Sequence, residues 1–259
     1  MTEPNKTSEI ITRPEGTYWH FLAENRCLRY GGKRKIVVGE TLRMGGSLIL
    51  CERGFHASHR VIDALNFAPG PIVCLVTLGG IVLHDTKHDI PDKSVAQERT
   101  VIWMYDASQI LREFACDVAE EALLSERSAG REPESRSFAA IEVMRRFIVG
   151  NATETERNTA ENDAWSVANS AYSAAQSAAY SVAMNAAYSA ALSAAKSAAD
   201  SAAWNVAWGV ALSMARNAAK NGAWSAFNDR LTGMLLVAMA RGEGDSPPVG
   251  LELTRQLAA

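Results

Sequence analysis

Runs of β-branched and aromatic residues dominate the chain between positions 17 and 105, and they predict strands. The runs are TYWHFL (17–22), KIVVG (35–39), SLILC (47–51), IVCLVTL (72–78), IVLHD (81–85) and TVIWMY (100–105). Glycine pairs such as Gly79-Gly80 separate several of them, and one short helix fits at 59–67. We expect a compact α+β head domain over 17–105, preceded by a flexible polar arm at 1–16.

Apolar residues at a spacing of three to four predict two connecting helices within 106–152, at about 107–126 and 137–149. Thr153 and Glu156 then have the spacing of a capping box, which marks the start of another helix. We assign 153–230 to an alanine-rich helical domain and 231–259 to a C-terminal helix and tail.

The alanine-rich domain is a repeat of four residues. Fourteen consecutive tetrads run from Ser173 to Asn228, with Ser, Asn or Gly first and Ala third until Phe227. Alanine is the best helix former and is depleted from strands, so the pattern favours helix. The fold class predicted for the whole chain is therefore an α+β head followed by an all-α, alanine-rich tail of tetrad repeats.

The period of four conflicts with one straight helix, because each tetrad position drifts by about 40° per repeat. Either several packed helices or one strongly right-handed supercoil resolves the conflict. We expect the tail to be a surface for self-association or for docking a protein partner. Its large fourth-position side chains are the candidate interaction residues: Tyr180, Tyr188, Trp204, Trp208 and Trp224.

Composition and charge exclude several classes of protein. A net charge of −3 with 47% hydrophobic residues argues against a nucleic-acid binder and against a disordered chain. None of the four cysteines forms a CxxC pair, and neither a signal peptide nor an apolar run of membrane-spanning length is apparent. We therefore expect a cytoplasmic protein with reduced thiols and without a membrane partner.

The stretch CERGFHASHRVIDALNFAPGPIVCLVTLGGIV (51–82) resembles a domain common in phage and prophage proteins. That resemblance covers about 17–105, and in the family the domain often precedes pentapeptide or alanine-rich repeats. The matching positions are Cys51, Gly54, Phe55, His56, Ala57 and Gly80, with Phe67 where Tyr is usual and Lys93 near the place of a family lysine. The binding residues that we infer for the head are Cys51, Gly54, His56, Ser58 and Lys93.

A second resemblance covers about 114–230, where FACDVAEEALL and EPESRSFAAIEVMRRFIVGNAT precede the tract. This part is similar to the helical domains of bacterial immunity-type proteins, which implies interaction or neutralisation rather than a reaction. The matching positions are Pro133, Arg136, Ala140, Ile141, Glu142, Arg145, Phe147 and Gly150.

Two kinds of chemistry are open for the head. His20, the turn at His56 and Ser58, and Glu98 follow the order of an ADP-ribosyltransferase-like site, in which carboxylate and imidazole polarise a glycosidic bond. The plainer interpretation is that Glu98 and Arg99 form an exposed pair on a strand. Cys51, His56 and His59 could ligate zinc with Cys74 or His84, but a packed cysteine and a hydrogen-bonded histidine fit better, so we expect no metal and no cofactor.

The preferred hypothesis is a non-enzymatic interaction protein of phage or prophage type in a bacterial cytoplasm. Defence, counter-defence and toxin neutralisation are the candidate roles. The alternative is a sensor of nucleotide or ADP-ribosyl ligands, or an ADP-ribosyltransferase-like enzyme, which uses the head domain. In that alternative His20, His56 and Glu98 are the candidate catalytic residues.

Overall fold

The computed structural model describes residues 9–28, 34–86, 91–128, 130, 132, 135–160, 162, 223–246 and 254–257. The chain divides into two compact units, one formed by 1–107 with 228–259 and the other by 108–227. Tyr180, Tyr188, Trp204, Trp208 and the side chain of Trp224 lie outside the described residues. The packing of the tetrad tract and its interaction surface therefore stay predictions.

A five-stranded antiparallel sheet forms the centre of the first unit and, with its helices, confirms the α+β character of the head. The strands of this unit are β1 (Glu9–Thr12), β2 (Thr17–Leu22), β3 (Thr41–Arg43), β4 (Phe55–Ala57), β5 (Ile72–His84), β6 (Ser94–Asp106) and β7 (Thr254–Leu257). The order across the sheet is β2-β5-β6-β3, and β4 also pairs with β6. β1 and β7 form a separate antiparallel pair, so part of the predicted arm is a strand.

The antiparallel pair of β5 and β6 is the longest element of the sheet, with 13 residues in each strand. β5 is one strand rather than the two predicted at 72–78 and 81–85. We predicted that Gly79-Gly80 separates two strands, but Gly80 takes a φ of +67° in a β-bulge, and pairing with β6 resumes at Val82.

The sheet curls back on itself through a bridge between β2 and the end of β4. The amide of Trp19 donates to the carbonyl oxygen of Ser58 at 2.8 Å, and the amide of Ser58 donates to that of Trp19 at 2.9 Å. β5 occupies one edge of β6, so β3 and β4 share the other edge. The bridge therefore completes a ring of β2, β5, β6 and β4 around an interior.

Two predicted strands are wrong. In 35–39 only Lys35 makes a bridge, to Cys27, and in 47–51 Ile49 bridges Arg53 across a tight turn. Apolar residues in these runs enter the core without joining a ladder, as Ile36 does at 5% exposure. The short strands β3 and β4 were missed because three residues give almost no periodic signal.

The core of this unit packs against the inner side of the ring. Its buried members are Leu22, Ile36, Leu42, Ala57, Ile72, Cys74, Val76, Val101 and Met104. The predicted helix at 59–67 is present as α1 (Val61–Asn66), and most of its side chains are buried.

The C-terminal segment belongs to the same unit as the head. The Trp103 indole donates to the carbonyl oxygen of Glu243 at 2.8 Å, and the Tyr105 hydroxyl donates to the Glu243 carboxylate at 3.0 Å. Met104 and Asp245 exchange two backbone hydrogen bonds at 3.0 and 2.8 Å. These bonds tie residues near the C-terminus to the end of β6.

The second unit contains the two predicted connecting helices, α2 (Ser108–Ser128) and α3 (Ser135–Ile148). Cys116, Leu123, Ile141 and Met144 pack together between them. Arg145 bridges the helices with bonds to Asp117 at 2.9 Å and to Glu120 at 2.7 Å.

The predicted capping box is confirmed, because the Thr153 amide donates to the Glu156 carboxylate at 2.7 Å and the Glu156 amide to the Thr153 hydroxyl at 3.2 Å. Another helix, α4 (Ala223–Ala240), follows most of the alanine-rich tract. Within the part of the chain that the structure describes, no helix has the length and apolar character needed to cross a membrane.

The attachment of the C-terminal segment can be tested with two glycines of positive φ. A Cβ at Gly244 would lie 2.6 Å from the Met104 carbonyl oxygen, whereas one at Gly242 would meet nothing within 4 Å. We expect Gly242→Ala to lower the free energy of unfolding by about 1 kcal/mol through backbone strain, and Gly244→Ala to lower it by about 3 kcal/mol because overpacking is added. Denaturant unfolding measures both, and equal losses would contradict the close packing at Gly244.

Candidate functional site

The side chain of Arg99 lies inside the ring although it carries a charge. Arg99 pairs with Leu42 of β3 and Leu78 of β5, both part of the core packing, and it is only 3% exposed. Our plainer interpretation of Glu98 and Arg99 as an exposed pair was therefore wrong for Arg99. Its position two residues before Val101, on the same face of the strand, was the available signal in the sequence.

The guanidinium of Arg99 is only partly satisfied. Nη1 donates to the carbonyl oxygen of His56 at 2.9 Å, and the group lies 5.4 Å from the centre of the Phe55 ring. Among the described residues Nε has no hydrogen-bond partner and no carboxylate lies within ion-pair distance. Burial lowers the pKa of Arg99 to about 10, which still leaves it charged at neutral pH.

Two histidines and a cysteine lie close enough to this cation to interact with its charge. Burial lowers the pKa of His20 well below its usual value, and the charges of Arg99 and His56 lower it further. Burial also lowers the pKa of His56, and it raises the pKa of the Cys74 thiol to about 12. At neutral pH the two imidazoles and the thiol are therefore uncharged, and Arg99 is the cation among these four groups.

The turn that precedes β4 holds the His56 ring. The amide of Cys51 donates to His56 Nε2 at 2.9 Å, while Cys51 itself is exposed and takes a φ of +69°. Gly54 has a φ of +135°, and a Cβ there would lie 2.2 Å from a Val95 methyl group. Gly54 is thus required by the backbone and by close packing, and Cys51 and Gly54 position His56.

The remaining inferred binding residues have structural partners. Ser58 is 2% exposed and makes the backbone bridge to Trp19. Lys93 lies 3.7 Å from Asp85 and 3.8 Å from Asp92, and its ammonium is 5.0 Å from the centre of the Phe67 ring. Lys93 is close enough to contribute to the lowered pKa of His56, but carboxylates already balance its charge.

The structure does not bring Glu98 together with His20 and His56. Glu98 pairs with Arg43 and Gly79, and its carboxylate lies 3.2 Å from the Arg43 guanidinium. Successive side chains of a strand point to opposite faces, so Glu98 lies on the face opposite to Arg99. The order of residues expected for an ADP-ribosyltransferase-like site is present in the chain without the corresponding geometry.

The possible zinc ligands are also dispersed. His56 accepts a hydrogen bond from Cys51, His59 lies against Tyr18 with ring centres 4.7 Å apart, and His84 bonds Ser94 at 2.8 Å. The described residues contain no group of three or more His, Cys, Asp or Glu side chains placed to hold a metal ion. What the site does offer is a buried cation with free donor capacity, which suits an anion.

No protein-family model, curated protein or solved structure matches this chain. The two resemblances drawn from the sequence therefore stay predictions.

The lowered histidine pKa values predict acid sensitivity. In the unfolded chain His20 takes up a proton as the pH falls below about 6.5, whereas in the folded protein it stays neutral to a lower pH. Protonation therefore favours the unfolded state, and the free energy of unfolding decreases as the pH falls below that value. Each such histidine contributes a slope of up to about 1.4 kcal/mol per pH unit. We expect His20→Gln to flatten the fall in unfolding free energy between pH 6.5 and 5, measured by urea unfolding.

His84→Gln is the matched control, because it removes an exposed histidine that is not one of the groups interacting with Arg99, which are His20, His56 and Cys74. A flattening as large in this control as in His20→Gln would show that the effect is not specific to His20. A His20→Gln protein whose stability falls as steeply as that of the wild type would show that His20 is not shielded in the folded state.

Proposed function

We propose that this chain is a non-enzymatic binding protein that recognises a protein partner along an open edge of β5. The proposal keeps the phage or prophage context, the bacterial cytoplasm, and a role in defence, counter-defence or toxin neutralisation. The alanine-rich tract adds an all-α tail for self-association or docking. One observation carries the proposal, namely that β2 covers only part of β5.

β2 pairs with β5 from Ile72 to Thr77, whereas β6 pairs with β5 as far as His84. Along 78–84 the second edge of β5 has no strand partner among the described residues. An uncovered edge presents backbone donors and acceptors to which another extended segment can add.

The side chains along this edge favour a partner over solvent. Ile81 is 58% exposed and Leu83 is 41% exposed, whereas the paired half of β5 is buried. Natural edges are commonly protected by charge, by proline or by a β-bulge. This edge has a bulge at Gly80 but no proline, Asp, Glu, Lys or Arg between 78 and 84, and Ile81 and Leu83 stay exposed beside the bulge. The partner that fits is an extended segment with apolar side chains at alternate positions.

The geometry of the head favours binding over catalysis. The candidate residues His20 and Glu98 are on different faces of the sheet, and Nε2 of His56 accepts a hydrogen bond from the Cys51 amide. The transferase form of the alternative hypothesis predicts NAD consumption by the purified protein. We expect none, and turnover that Glu98→Gln abolishes would overturn the non-enzymatic proposal.

The partner can be identified by comparing variants rather than by capture alone. Wild type, the edge variant Ile81→Lys/Leu83→Lys and the control Val149→Lys are used as baits in the cells that naturally make the chain. Val149 is also an exposed apolar residue, at 63%, but lies outside the head. We expect a partner that the wild type and the control retain and the edge variant loses at least tenfold.

Reconstitution then tests the mode of binding. With the purified partner, hydrogen exchange should slow, when the complex forms, at those amides of 78–84 that do not already bond β6 or the Gln97 side chain. Binding that leaves those amides unprotected, or that the edge variant retains, would refute recognition through β5.

A further inference from the structure

We infer that Arg99 anchors an internal site for an oxyanion, a phosphate or a carboxylate group, within the ring of the head domain. The inference does not depend on the edge of β5, and the two can fail separately. It rests on a side chain that is 3% exposed, with an Nε atom that no described residue satisfies.

Arg99 differs from the neighbouring cations in having no counter-charge among the described residues. Burying a cation without a counter-charge is unfavourable, and one hydrogen bond and one aromatic ring offset the lost hydration only in part. Nearby Arg26 and Lys93 each have a counter-charge, because Asp245 lies 2.6 Å from Arg26 and Asp85 lies 3.7 Å from Lys93. Both of those cations have an acidic partner in the fold, and Arg99 has none among the described residues.

The neighbouring titratable groups do not supply the missing negative charge. Arg99 acts electrostatically on the His20 and His56 rings and on the Cys74 thiol. None of the three is anionic at neutral pH, because two are neutral imidazoles and the thiol stays protonated. None of these three neighbours therefore supplies a negative charge to Arg99, and an anion bound beside Nε would supply one.

The shape of the guanidinium selects the class of ligand. Its planar fork matches the oxygens of phosphate and carboxylate groups, and Nη1 is already fixed by the His56 carbonyl oxygen at 2.9 Å. The unsatisfied Nε lies on the same rigid plane. An oxyanion would accept from Nε, which is the buried donor that no described residue satisfies.

Entry of an anion requires a covering segment to move, because Arg99 is enclosed. The turn around Cys51 is exposed and is joined to the site by the hydrogen bond from its amide to His56 Nε2. Cys51 also takes a φ of +69°, which is unfavourable for a residue with a Cβ atom. We assign this turn as the side from which the ligand enters.

The test is calorimetric titration of the full chain with inorganic phosphate, acetate and ADP-ribose, each at constant ionic strength set with sodium chloride. We expect at least one of the three to bind saturably. Arg99→Met should weaken that binding at least tenfold, which corresponds to about 1.4 kcal/mol. Arg43→Met is the control, because it removes an exposed arginine from the neighbouring strand and should leave the affinity unchanged.

The three ligands separate the sources of the anion. Binding of phosphate and ADP-ribose identifies a phosphate group, and binding of acetate identifies a carboxylate. If Arg99→Met does not fold, Arg99→Lys keeps the charge but loses the fork, and it should also weaken binding at least tenfold. The absence of binding by all three ligands, or binding that the Arg99 variants retain, would overturn the inference.

Discussion

The pairing of β5 with β6 is the constraint on which the rest of the head depends. Because both strands have 13 residues, β6 can hold β5 along one edge and both β3 and β4 along the other. The same register places Arg99 beside Leu78 and Leu42, on the inner face of the sheet. The bridge from Trp19 to Ser58 then closes the ring around it.

Two properties of the molecule follow from this one pairing. β6 extends further along β5 than β2 does, and the remaining edge carries exposed Ile81 and Leu83. Inside the ring, the same strands bury a cation without an acidic partner among the described residues. The first property suits recognition of a protein and the second suits recognition of an anion, and neither requires a reaction.

The sequence predicted the elements that have a long periodic signal. β2, α2, α3 and the capping box at Thr153 were all available from spacing and from local chemistry. Gly79-Gly80 was misinterpreted because a glycine pair can form either a turn or a bulge, and only pairing with β6 decides between them. β3 and β4 could not be predicted, because three-residue strands depend on their partner for stability.

The candidate site was predicted only in part for a similar reason. His20, His56, Ser58 and Lys93 do lie in or beside the ring, but Arg99 was interpreted as a surface residue because charged side chains normally stay in water. Glu98 was grouped with the histidines from its order in the chain. Adjacent positions of a strand face opposite ways, so Arg99 lies on the inner face of the sheet and Glu98 lies on the other face.

The most direct measurement of the central claim observes the buried guanidinium itself. The Nε–H resonance of Arg99, assigned by its loss in Arg99→Lys, can be followed by NMR while inorganic phosphate, acetate or ADP-ribose is added. An anion that accepts from Nε should shift this resonance saturably and slow its exchange with water, while the Arg43 resonance stays in place. A resonance of Arg99 that does not move with any of the three anions would contradict the account.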